Sequence, residues 1–215
     1  MLLSNGIEAT LSDPPLEGLR CFGASDPLYA SYHDEEWGRP VVDERGLYER
    51  VSLEAFQSGL AWITILRKRE AFRAAFAGFD PERVAEFGEA DLARLLADAG
   101  IVRNRLKIEA TIANARAVLA LRDADRSFEE IVLAHRPPER AAAPRDFSQV
   151  PAWTAESTAL AKALRKAGFR FVGPTTAYAL QQAVGHVNDH LADCIVRDDV
   201  EAERRRAFGL RPASS

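Results

Sequence analysis

From about residue 26 onward, apolar residues in this chain return every three to four positions, and no alternating run lasts more than a few residues. That period puts the apolar side chains on one face of a helix and argues against half-buried strands. Leu47, Val51 and Ala55 recur after Asp43, a residue type that caps helix starts. Asp80-Pro81 reads as a cap followed by proline at the first helical position, opening a helix over 81–87. Leu92, Leu95 and Leu96 form a stripe that Gly100 stops, and Ile108, Ile112, Ala115 and Leu119 form another. Ser127 and Glu130 have the spacing of a capping box ahead of Ile131-Val132-Leu133. Residues 136–152, with Pro137, Pro138, Pro144 and Pro151, read as a loop. Leu160 and Leu164 mark a helix stopped by Gly168, and Ala177 to Val184 mark the next. The fold class is therefore all-α. We expect a flexible leader over 1–20, a single domain of two intertwined helical lobes over 21–197, and a C-terminal tail over 198–215.

The chain's 215 residues suit one generous domain or two small lobes with a shared core. No apolar run approaches the roughly 18–20 residues that span a bilayer, and the N-terminus lacks a secretory pattern. The expectation is a cytoplasmic protein with no membrane partner. A net charge of -4 does not mark a nucleic-acid binder, but a DNA site needs only a local basic face. Arg67-Lys68-Arg69, then Arg103, Arg105 and Lys107, then Arg165, Lys166 and Arg170 are such clusters. Solvated helix faces account for them equally well, so charge leaves the matter open.

Residues 168–177 read Gly-Phe-Arg-Phe-Val-Gly-Pro-Thr-Thr-Ala. One helix ends at Gly168, and Gly173-Pro174 opens another. The free amides at such a helix start form an anion site, to which Arg165, Lys166 and Arg170 would add attraction for a phosphate.

Only two cysteines are present, Cys21 and Cys194, near opposite ends. A disulfide, two buried thiols or a shared metal site would each account for them. His190 and Cys194 are four apart, the spacing of one helix face, and His33 lies twelve after Cys21. Two thiolates and two imidazoles complete a tetrahedral zinc set with no open position, and so a structural one. His186, four before His190, is a rival ligand; His135 reads as an exposed or capping histidine.

Glu54 lies seven residues after Leu47 and three after Val51, on the buried stripe of its helix. A carboxylate there needs a partner. A buried arginine is one candidate, and a donor or cation on a bound ligand is another. Tyr29, Tyr32 and Trp62 are aromatics that could pack around such a ligand.

The hairpin 171–177 resembles that of the helix-hairpin-helix DNA-glycosylase superfamily, with Gly100 to Ile108 as its upstream basic segment. Several further segments resemble, in order, the 3-methyladenine DNA glycosylase I family. They are Asp26-Pro27-Leu28-Tyr29-Ala30-Ser31-Tyr32-His33-Asp34-Glu35-Glu36-Trp37-Gly38, Leu53 to Glu70, Gly168 to Gly173, and Val187-Asn188-Asp189-His190. The resemblance implies structural zinc on Cys21, His33, His190 and Cys194, joining the two ends of the chain. It implies Glu54 as the carboxylate of the active site, with Tyr29, Tyr32 and Trp62 around the base. Gly173, Thr175, Arg170 and Lys166 would grip damaged double-stranded DNA while a base is flipped out. Superfamily members that also cut the backbone carry a lysine where Thr175 stands. Many have aspartate where Asn188 stands, and Asp189, one residue further along a helix, would point about 100° away. A monomeric enzyme that excises alkylated adenine without cutting the strand is the expectation, associated with the nucleoid when on DNA. A non-catalytic DNA binder on the same scaffold, or a glycosylase for another alkylated base, is the alternative.

Overall fold

The computed structural model describes residues 18–210, so most of the expected leader lies outside the described residues. Ten α-helices and no strand occur among them. Three local devices recur at helix starts. Asp26 caps α1 (Pro27–Glu35) by accepting from the amide of Tyr29, and Asp43 caps α2 (Glu44–Gln57) through Gly46 at 2.8 Å. Asp80 accepts from the amides of Glu82 and Arg83 at the start of α4 (Pro81–Ala85), which is preceded by α3 (Trp62–Ala75). The helix expected over 81–87 ends two residues early, where Phe87 turns its amide back to Val84.

The chain continues through α5 (Glu89–Ala97), α6 (Arg105–Asp123) and α7 (Phe128–Ala134). At α7 the expected capping box is half made. Ser127 accepts from the amide of Glu130 at 3.1 Å, but among the described residues the Glu130 side chain makes no return bond to the Ser127 amide, and the Ser127 hydroxyl donates to Glu129 at 2.6 Å. His135 caps the other end, its ring 2.8 Å from the Ile131 carbonyl.

Most of the buried apolar residues form one large cluster, and a small second cluster of Cys194, Val196 and Val200 lies beside the C-terminal turns. Long α6 runs through the large cluster with Ile108, Ala115 and Val118 fully buried. Tyr48 of α2 donates to the Thr111 carbonyl of α6 at 2.9 Å. The rings of Phe56, Phe72, Phe76 and Phe79 pack in succession, with centroids 4.6 to 6.3 Å apart. Lys107, expected in a basic cluster, turns inward instead. Its ammonium donates to the carbonyls of Phe56 and Ser58 at 2.9 and 2.7 Å, closing the end of α2.

The hairpin joins α8 (Ala155–Lys166) to α9 (Pro174–Ala183). Gly168 takes φ +98, and the amides of Gly168 and Phe169 return to Arg165 and Leu164. That 6→1 and 5→2 pair is a Schellman turn, for which a left-handed residue is required. The buried Asn114 of α6 then holds Arg170 from both sides. It accepts from the Arg170 amide at 2.7 Å and donates to its carbonyl at 3.2 Å.

The last third departs from expectation. Residues 185–196 are turns, not helix. Gly185 adopts φ +76, and a Cβ there would lie 2.7 Å from the Gly38 carbonyl. Only glycine permits both the turn and the close approach. The expected tail is helical for most of its length, as α10 (Arg197–Phe208).

Candidate active site and metal centre

Cys21, His33, His190 and Cys194 converge, with all four donor atoms within 4.8 Å of one another. The shared helix face expected for His190 and Cys194 does not exist; a turn in which Cys194 donates to Leu191 brings them together. Cys194 Sγ lies 3.3 Å from His190 Nδ1 and 3.5 Å from His33 Nε2, and Cys21 Sγ lies 3.6 Å from His190 Nδ1. A tetrahedral ion with bonds of about 2.3 Å to sulfur and about 2.0–2.1 Å to nitrogen would separate S and N by about 3.5 Å. The donor set therefore fits such an ion in both chemistry and spacing.

The outer groups fit as well. His33 Nδ1 is 2.7 Å from Asp34, which the Arg20 guanidinium grips at 2.8 Å. His190 Nε2 faces the Trp37 carbonyl at 3.0 Å, and Cys21 Sγ accepts from the Leu191 amide at 3.2 Å. Each imidazole thus has a partner for its remote nitrogen, which fixes the tautomer that leaves the inward nitrogen free to ligate. The hydrogen bond from Cys21, followed by those from the rings of His190 and His33, favours the Cys194 thiolate. The rival His186 stands apart from the quartet. It is 3% exposed, its ring meets Phe208 edge-on at 5.2 Å, and burial lowers its pKa to about 4.

A cavity of about 350 Å³ adjoins this centre. Tyr29 and Tyr32 of α1, Glu54 of α2 and Trp62 of α3 all line it, so the structure places the four expected pocket residues around one space. The Tyr32 and Trp62 rings lie 5.2 Å apart, and Phe22 lies 4.8 Å from Tyr29. Phe22, Trp37, Gln57 and Phe147 are further wall residues that sequence reasoning missed. Two of them had a signal: Gln57 follows Glu54 by three on the same helix, and Phe22 adjoins Cys21.

Glu54 is 6% exposed and has no hydrogen bond or ion pair among the described residues. The buried arginine one turn earlier, Arg50, donates from one terminal nitrogen to Glu36 at 2.7 Å and makes no hydrogen bond to Glu54, while its other terminal nitrogen is buried without a partner among the described residues. Burial opposes the Glu36 charge, but bonds from Arg69 and Arg50 hold that carboxyl down at about 2. Burial pushes Glu54 up to about 8, and the nearby Arg50 charge only partly offsets it. Near neutral pH this carboxyl holds its proton for the most part, and a cation entering the cavity would favour the ionised form.

The hairpin stands beside the cavity. Thr175, exposed in the first turn of α9, lines both it and an adjoining hollow of about 220 Å³ edged by Gly59 and Leu60. Gly173 caps α9 with extended backbone and no side chain over the helix start. Arg170 and Lys166 are exposed and do not line the cavity. Asp189, expected to point away along a helix, is buried and accepts from Tyr178 and Gln182 at 2.7 and 2.9 Å. Asn188 donates to the Arg197 carbonyl and to Glu201.

A family profile described as methyladenine glycosylase matches residues 22–198. The chain belongs to that family. It is 48% identical over 179 residues to DNA-3-methyladenine glycosylase 1 of Escherichia coli (strain K12), covering 81% of this chain and 95% of that protein. A crystal structure of a 3-methyladenine DNA glycosylase I superposes with a TM-score of 0.79 at 47% identity, covering 82% of this chain and 98% of the other. A tyrosine-to-phenylalanine variant of a 3-methyladenine DNA glycosylase I, in complex with 3-methyladenine, superposes at 0.77 with 35% identity over 82% of this chain and 96% of that one. The matched span takes in His33, His190, Cys194 and every helix that lines the cavity, and it begins at the residue after Cys21. Only α10 falls almost wholly beyond the profile.

Proposed function

We propose that this methyladenine glycosylase hydrolyses the glycosidic bond of 3-methyladenine in damaged duplex DNA and leaves the strand intact. The observation that carries the reading is Glu54, an unpaired carboxyl buried in an aromatic cavity. The N3-methylated base is a cation with an exocyclic amine. Its charge offers Glu54 the partner that the protein withholds, and the amine can donate to the carboxylate. Tyr29, Tyr32 and Trp62 supply ring faces that favour a cation over a neutral base. Guanine presents a carbonyl at the same edge, which a carboxylate repels.

The hairpin's part is to hold the backbone. Gly173 leaves the amides of the α9 start open to a phosphate oxygen, with Thr175 beside them and Arg170 and Lys166 adding screened attraction. The damaged nucleotide leaves the stack and enters the cavity, at a cost of a few kcal/mol that a distorted base reduces. When the glycosidic bond breaks, its electron pair goes to the cationic base, which departs neutral and needs no acid. Water bonds to the sugar carbon and releases a proton, giving an abasic site. Strand cleavage through a Schiff base would require an amine, and among the described residues no lysine lines the cavity.

We infer that zinc occupies the Cys21, His33, His190 and Cys194 site, supplying a closed structural joint and no reactive position. The protein acts as a monomer in the cytoplasm, on nucleoid DNA. The test of the pocket is turnover of methylated duplex by the Glu54→Gln variant. The variant keeps the shape and removes the charge, so base release falls by about 10²-fold or more, the scale set by losing a charge-stabilising group in a dry site. Unchanged release would reject Glu54 as the recognising group.

A further inference from the structure

α10 begins at Arg197, and the family profile ends at residue 198, so this helix is an addition to the common scaffold. It lies against residues 185–196, the segment that carries His190 and Cys194 and has no regular helix to hold its backbone. Arginines of α10 take up that segment's carbonyls. Arg204 donates from Nε to Gly185 at 2.6 Å and from a terminal nitrogen to His186 at 3.1 Å. Arg197 donates to the carbonyls of Asn188, at 3.3 Å, and of His190. The Asn188 amide answers by donating to the Arg197 carbonyl and to Glu201, each at 3.1 Å.

Arg204 is only 2% exposed. A guanidinium so placed is costly unless its donors are used, and here two carbonyls, Glu201 at 2.6 Å and Glu139 at 3.2 Å use them. Its planar fork suits two neighbouring carbonyls in a way no apolar residue could. Val200, fully buried, backs the other side of the centre. A Cβ built on Gly38 would sit 3.2 Å from His190 Nε2 and 3.3 Å from Val200 Cγ1, so the helix closes tightly behind the His190 ring. Two outer ties complete the attachment: Glu203 pairs with Arg39, and Phe208 meets the His186 ring.

We propose that α10 is a clamp on the metal-ligand loop, with Arg204 and Arg197 as positioning residues that preset His190 and Cys194 and slow loss of the ion. The inference rests on the reading of the quartet as a metal site. Two measurements on the full zinc-loaded chain test it: the rate of zinc transfer to a chromophoric chelator, and amide hydrogen exchange. Arg204→Met releases zinc about tenfold faster or more, the usual consequence of losing a group that orients ligands. Exchange protection is lost over 185–196 and kept in α2 and α6. Arg206→Met, at an exposed position of the same helix, matches the parent.

A release rate within about twofold of the parent, or protection lost equally from α2 and α6, overturns the clamp. Should Arg204→Met fail to fold, Phe208→Ala removes only the outer contact and is expected to release zinc about threefold faster with the same local exchange pattern. No change in either measurement then overturns the proposal. A parent protein that takes up no zinc when zinc is supplied would reject the metal reading instead, and the exchange pattern alone would decide whether α10 holds the loop.

Discussion

Replacing Glu54 by glutamine should make the free protein more stable while removing its function. Burial lifts the Glu54 pKa from 4.5 to about 8. The native state therefore binds a proton that the unfolded chain has released anywhere between those two values. Stability falls as pH rises through that window, and the loss levels off above about 8. Each pH unit of the window is worth about 1.36 kcal/mol. The cost is near zero at pH 4, about 3 kcal/mol at pH 7 and on the order of 5 kcal/mol above pH 8. Glutamine has nearly the same shape and no charge to bury, so the variant escapes this cost. For a chain of this length, about 3 kcal/mol corresponds to a Tm gain of roughly 6–12 °C. Thermal unfolding of both proteins from pH 4 to 9, with zinc supplied throughout, reads the difference directly. Taking variant minus parent cancels every other titrating group. A difference that stays flat with pH, or a variant less stable at pH 7, would refute the claim that Glu54 lies buried without a partner.

Three further outcomes follow from particular contacts. Asn114→Ala frees the amide and carbonyl of Arg170 in the hairpin, costing about 2 kcal/mol in urea unfolding and weakening duplex binding; an unchanged midpoint would mean the clasp carries no weight. Arg170→Ala lowers duplex affinity and reduces the slope of log affinity against log salt by about one, without altering affinity for free 3-methyladenine; an unchanged slope removes Arg170 from the DNA face. Cys194→Ser cuts metal content well below about one ion per chain and lowers stability, both read on purified protein; full retention would remove Cys194 from the ligand set.

The helices were legible because their signals are local. Asp43, Asp80 and Ser127 cap where their side-chain chemistry says they should, and Gly168 stops α8 with a positive φ that glycine alone adopts freely. Glu54 was legible for a related reason: its distance from Leu47 and Val51 puts a charge on a buried stripe, an anomaly visible without any contact map. The second layer was not. Asp34 adjoins His33 in sequence, but Arg20 reaches Asp34 and the Trp37 carbonyl reaches His190 only because distant segments meet, and no local pattern encodes those approaches. The quartet's spacing suggested a shared helix face, yet Gly185 breaks α9 and a turn does the work. α10 escaped detection because the buried Arg204 stands between Val200 and Phe208 on its inward face and interrupts the apolar stripe. Phe147 reaches the cavity from a loop whose path the helical period cannot describe.

The most direct measurement is chromatography of the bases released from methylated duplex DNA by zinc-replete protein, with strand integrity followed on a gel. Release of 3-methyladenine well ahead of 7-methylguanine, with no nicking, is the predicted result. Release of both bases at comparable rates, strand cleavage, or no release from folded protein would contradict the account.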